Sequence, residues 1–168
     1  MKNKKVLFIT QAAVIAAIYV VLTFVANAFG LANYAIQVRF SEALTILPFF
    51  TPVAIPGLFI GCILSNLLTG CMPLDVVFGS LATLIGAIGT YALRRFSAHK
   101  VTKFLTPLPP IVANTLIVPY VLSSVYEFEG SISYFMLTVG IGELISCGIL
   151  GLMLLFTLQK HATVIFKS

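Results

Sequence analysis

The sequence predicts an all-α integral membrane protein, a six-helix bundle whose second and third spans are short and interrupted by proline. Three observations carry that prediction. Apolar residues make up 60% of the 168 positions and charged ones 9%, and the mean hydropathy is +1.09, too apolar for a soluble domain of this length. Apolar runs recur at lengths that cross a hydrocarbon core of about 30 Å as helices rising about 1.5 Å per residue. The basic residues sit at segment ends rather than on one exposed face, a pattern that fits membrane topology and not nucleic acid. All 168 residues are read as a single transmembrane binding domain.

The first span, residues 6–29, follows Lys2, Lys4 and Lys5. Ala26-Asn27-Ala28 imitates a signal-peptide cleavage site, but the apolar run exceeds the roughly 7 to 15 residues of a signal core, so a retained span is expected. Residues 40–70 are harder to read. Pro48, Pro52 and Pro56 each lack an N–H and disfavour helix at the preceding residue, so one straight span is not expected. Parity decides the count, because positive residues in short loops mark the cytoplasmic side. Lys2, Lys4 and Lys5, then Arg94, Arg95, Lys100 and Lys103, then Lys160 and Lys167 form three basic clusters. All three lie inside only if 40–70 crosses twice, near 40–53 and 54–70, which leaves Glu42, Asp75, Glu127 and Glu129 outside. Those two crossings offer roughly 46 Å of helix where two full crossings need about 60 Å, so they must tilt or be shielded by other helices. Gly57, Gly61 and Ser65 recur every fourth residue, a stripe that lets a helix approach closely. Spans at 75–93, 108–122 and 132–158 complete the bundle, with Pro109 and Pro110 suited to a helix start. Both termini are then cytoplasmic.

The uncommon polar groups fall on the outer half of this layout. Arg39 and Glu42 stand at the outer lip, Asp75 begins the fourth span, and Asn66 lies roughly 6 Å in from Gly70. Asn114 and Glu143 lie deeper, roughly 14 and 16 Å from the outer ends of their helices. An ionisable residue inside a span costs roughly 2.5 to 3.5 kcal/mol unless it has a partner or a wet cavity, so Glu143 in particular asks for a function. For the others a plainer role stands beside the ligand role. Arg39 and Glu42 can pair with each other, Asp75 can cap its helix, and Asn66 and Asn114 can be interhelical hydrogen-bond glue. Asn33 and Tyr34 belong to the first outer loop, and Tyr120 and Tyr126 suit the interfacial aromatic belt.

Other chemistries are excluded by composition. No Gly-Lys dipeptide occurs, so there is no phosphate loop of the GxxxxGK[ST] kind. His99 and His161 sit in basic cytoplasmic segments, and Cys62, Cys71 and Cys147 form no CxxC pair, so neither catalysis, a metal site nor a cofactor is expected. There is also no internal inverted repeat of the kind secondary transporters show. The expectation is a small membrane binding protein that needs a partner for power.

The stretch "VRFSEALTILPFFTPVAIPGLFIGCILSNLLTG" followed by "PLDVVFGSLATLIGAIGTYALRR" resembles the queuosine-precursor transporter family (QueT), substrate-binding S components of energy-coupling factor (ECF) vitamin importers. The distinctive match covers Val38 to Arg95, and the rest agrees in length, span layout and an alanine-rich first helix. The resemblance implies capture of a queuosine precursor outside a bacterial cell, 7-aminomethyl-7-deazaguanine or a relative. It also implies delivery through a transmembrane scaffold driven by two cytoplasmic ATPases, with Ala12, Ala13, Ala16 and Ala17 as the docking face; packing within the bundle is the plainer role of these alanines. A guanine edge, with two N–H donors and an O6 acceptor, suits one carboxylate and a donor such as Arg39. The cationic aminomethyl group suits a second carboxylate, and the flat ring suits Tyr34 or Phe40. The expected ligand contacts are thus Arg39, Glu42, Asn66, Asp75, Asn114 and Glu143 with Tyr34 and Phe40. An S component for another vitamin and a structural membrane subunit are the alternatives.

Overall fold

The computed structural model describes residues 2–31, 37–96, 100–124 and 130–165, and among them it contains helices and no strand. In chain order these are α1 (Lys2–Ala28), a 3₁₀ helix (Phe40–Phe49), α2 (Ala54–Leu68), α3 (Pro73–Leu93) ending in a single 3₁₀ turn (Arg94–Phe96), α4 (Lys100–Leu105), α5 (Leu108–Ser124), α6 (Ile132–Glu143), a π-helical stretch (Leu144–Leu150), α7 (Gly151–Gln159) and α8 (Ala162–Ile165). α6, the π stretch and α7 run on as one apolar helix of 28 residues. Large apolar side chains point outward along the long helices, Ile9 at 67%, Leu137 at 64% and Met153 at 63% exposure. A surface of that kind is stable against lipid, not water. The protein is a multi-pass membrane bundle.

Contacts fix the direction of each pass. Tyr19 and Thr23 of α1 meet Glu42 and Ser41 of the 3₁₀ helix, so these two run antiparallel. Gly57 and Gly61 of α2 abut Ala12 and Ala16 of α1 in the same order, so α2 runs parallel to α1. Thr83 reaches Cys62 and Gly79 faces Asn66, which turns α3 against α2. Gly86 and Gly89 of α3 meet Pro110 and Pro109, and Gly140 and Gly148 of the last long helix face Thr115 and Ile111 of α5, giving two further reversals. Six passes alternate in direction. The start of α1 and the end of α7 therefore lie at the same end of the bundle, as the basic clusters predict.

The second pass differs from the sequence expectation in its winding. Its ten residues are 3₁₀, not α, which gives about 20 Å instead of about 15 Å for the same chain. Pro48 sits inside it and disfavours α conformation at Leu47. Such a stretch leaves backbone groups poorly served, and it is tolerated in a membrane only when enclosed by protein. Every residue from Ser41 to Phe49 is buried. Helix close approach elsewhere is set by small residues: a Cβ on Gly61 would stand 2.8 Å from Tyr19 Cβ, and one on Gly57 2.9 Å from the Ala12 carbonyl oxygen. Gly57 and Gly61 of the small-residue stripe form the α1–α2 seam. That seam also divides the alanines of α1, since Ala12 and Ala16 are buried in it while Ala13 and Ala17 are exposed.

Candidate ligand-binding site

At the end of the bundle away from the chain termini, a cavity is lined by Arg39, Glu42, Asp75, Asn114 and Glu143, with Gln37, Gly79 and Thr83 completing its polar wall and Val118 and Val139 an apolar one. Each side chain has a local reason to be there. The segment 37–39 is extended and lies against α6 because Gly142 has no Cβ; one would collide with the Gln37 carbonyl oxygen. Ser146 on the next turn accepts a hydrogen bond from the Arg39 N–H at 3.1 Å, and the Arg39 guanidinium donates to Gln37 Oε1 at 3.3 Å. Glu42 follows in the first turn of the 3₁₀ helix, where the Tyr19 hydroxyl donates to its Oε1. Asp75 occupies the first turn of α3, three residues after Met72 at the N-cap position. Its position also complements the positive end of the helix dipole.

Glu143 closes α6, where the helix widens into its π stretch, a distortion that often accompanies functional sites. Cys147, one turn on, places its sulfur 3.1 Å from Glu143 Oε2 and 3.4 Å from the Glu42 carbonyl oxygen. Ligand atoms of Glu42, Glu143 and Cys147 all lie within 4.8 Å of one another, close enough to share one cation. Glu42 and Glu143 are 2% and 8% exposed, so both carboxyls are held out of bulk water and depend on neighbours for compensation. The enclosed space is about 20 Å³, room for roughly one water.

Five of the residues expected to meet a ligand, Arg39, Glu42, Asp75, Asn114 and Glu143, thus share one cavity. Asn66 is buried one layer behind it, donating to Cys62 Sγ at 3.6 Å and backing Gly79. Phe40 lies elsewhere, in an apolar groove with Leu22, Leu44 and Leu154, because a step of two residues puts it on a different helix face from Glu42. Tyr34 falls outside the described residues. Tyr19, Gln37, Thr83 and Cys147 were not expected at the site. Of these only Tyr19 carries a signal, a hydroxyl in mid-span that a buried tyrosine must satisfy.

A family profile described as QueT transporter matches residues 9–160. Over 97 residues the chain is 36% identical to the "Queuosine precursor transporter QueT" of Lactococcus lactis subsp. cremoris (strain MG1363). That alignment spans 57% of this chain and 57% of the curated relative, a little over half of its length. No solved structure matches. Because the profile runs from α1 to the last residues of α7 and takes in every pass of the bundle, the chain belongs to the QueT transporter family.

Proposed function

We propose that the chain is the substrate-binding S component of an ECF-type importer and captures a queuosine precursor, 7-aminomethyl-7-deazaguanine or a close relative, from outside a bacterial cell. The observation that carries this reading is the convergence of Arg39, Glu42, Asp75, Asn114 and Glu143 on one cavity in an otherwise apolar bundle. The name of the Lactococcus relative supplies the ligand class. A deazaguanine offers its two edge N–H donors to one carboxylate and its O6 to Arg39 or the Asn114 amide. Val118 and Val139 supply the apolar wall that a flat ring needs. A bicyclic base exceeds the space for roughly one water, so the wall side chains part as it enters.

Uptake against a gradient needs a power source, and the sequence has no phosphate loop. A transmembrane scaffold subunit and two cytoplasmic ATPases fill that need. Ala13 and Ala17 are the part of the alanine-rich face left open to such a scaffold helix, which small side chains allow to come close. Both termini face the cytoplasm in this reading, since the basic clusters gather at their end. Mass spectrometry of small molecules released from the purified protein, together with cellular uptake of the labelled base, tests the proposal. A different vitamin in the released material, or no saturable uptake, would overturn it.

A further inference from the structure

The charges around the cavity do not balance. Arg39 stands against Glu42, Asp75 and Glu143. Two of the three carboxylates are close neighbours, Glu42 reaching in from the 3₁₀ helix and Glu143 from the end of α6, with ligand atoms within 4.8 Å. Two carboxylates that close do not both ionise in a poorly hydrated site unless a cation stands between them. The pair has an open position for one. Glu42 Oε1 is satisfied by Tyr19, but Glu42 Oε2 is buried on the cavity wall without a hydrogen-bond partner. The other titratable groups nearby are Tyr19 on α1, Cys62 on α2 and Cys147 on the π stretch, all buried and of types that carry no positive charge in either protonation state. None of them supplies positive charge.

We propose that Glu42 and Glu143 together form a subsite for a primary ammonium group, which enters in exchange for a proton that the pair otherwise shares. The inference rests on the reading of the cavity as a binding site for a queuosine precursor and deepens it: among such bases the cationic aminomethyl form is selected over neutral ones. A proton and an ammonium compete for the same oxygen lone pairs, and the gap between the two carboxyls admits one of them. The displaced proton leaves to bulk water, and the local charge is unchanged.

Calorimetric titration of the purified full-length protein with 7-aminomethyl-7-deazaguanine and with neutral 7-cyano-7-deazaguanine, from about pH 6 to about pH 8 where the amine stays charged, tests this. The cationic base is expected to bind at least roughly tenfold tighter at neutral pH and to gain up to about tenfold per pH unit, the slope of one released proton. The neutral base should show no such slope. In Glu143→Gln the preference should fall below about threefold and the slope should vanish, with Glu42→Gln as the substitute if that variant does not fold. Equal affinities, or parallel pH profiles for the two bases, would overturn the subsite, as would an affinity that collapses on adding a chelator. Binding of neither base would instead refute the ligand class. Thermal stabilisation by benzylammonium but not by benzyl alcohol, lost in Glu143→Gln, would then still support the subsite, and equal effects would overturn it.

Discussion

Replacing Gly61 by alanine tests whether the α1–α2 seam holds the site as well as the fold. The added Cβ would stand 2.8 Å from Tyr19 Cβ and 3.1 Å from Ala16 Cα, where carbon atoms prefer roughly 3.5 to 4.0 Å. Backbone and Cβ atoms cannot swing aside, so α1 must move, and Tyr19 moves with it. Overpacking of this kind costs about 1 to 3 kcal/mol. Alanine also gains roughly 0.5 to 1 kcal/mol over glycine in a helix, which masks part of the cost. Gly140→Ala is the matched control, since its Cβ would meet nothing nearer than Thr115 Cγ2 at 3.5 Å, an ordinary contact. The propensity gain is common to both variants, so their difference isolates the steric cost of about 1 to 3 kcal/mol. Thermal unfolding followed with a thiol-reactive dye suits the assay, because Cys62 and Cys147 are buried and free. Gly61→Ala should also bind ligand more weakly, because Tyr19 donates to Glu42. Stability equal to that of Gly140→Ala would refute the steric argument, and a destabilised variant with full ligand affinity would refute the link through Tyr19.

Three further outcomes are expected. Glu143→Gln should lower affinity for the cationic base by roughly 2 to 5 kcal/mol, since it removes one member of a buried charge cluster, whereas Arg39→Gln should weaken cationic and neutral bases alike by about 1.5 to 3 kcal/mol; parallel titrations separate the two. Ala13→Trp and Ala17→Trp, both on the exposed face, should leave ligand affinity intact while abolishing co-purification with the scaffold; Ala16→Trp, facing Gly61, should lose stability by about 3 kcal/mol or more. Impermeant labels should reach a cysteine at Gly130 from outside the cell but not one at Ala98 or Ser168, and outside labelling at Ala98 would break the six-pass topology.

The layout of the bundle was legible because charge is costly in lipid. Arg94, Arg95, Lys100 and Lys103 can lie on the same side as the amino-terminal lysines only if residues 40–70 cross twice, and the contacts of Gly57, Gly61 and Glu42 give those two passes opposite directions. Conformation within a pass was less legible. Proline spacing signals that 40–53 is not an ordinary helix, yet a buried 3₁₀ helix depends on the walls around it, and those are tertiary. Phe40 could be set aside on spacing alone, since a step of two residues along either helix type puts it on a different face from Glu42. For the site, rarity was the useful signal: outside the three basic clusters the only charged side chains are Arg39, Glu42, Asp75, Glu127, Glu129 and Glu143, and four of these six line the cavity. Gln37, Thr83 and Cys147 offered no such contrast. The alanines show a different limit, because Ala12-xxx-Ala16 and Ala13-xxx-Ala17 have identical spacing. Only the position of the glycine stripe on α2 tells which pair is buried.

Equilibrium titration of the purified protein with 7-aminomethyl-7-deazaguanine tests the central claim most directly. Saturable binding of one base per chain, strongly weakened in Glu143→Gln while the variant keeps its unfolding profile, is the predicted result. An absence of saturable binding by a folded wild-type protein, or unchanged affinity in the folded variant, would contradict a queuosine-precursor site built on this cavity.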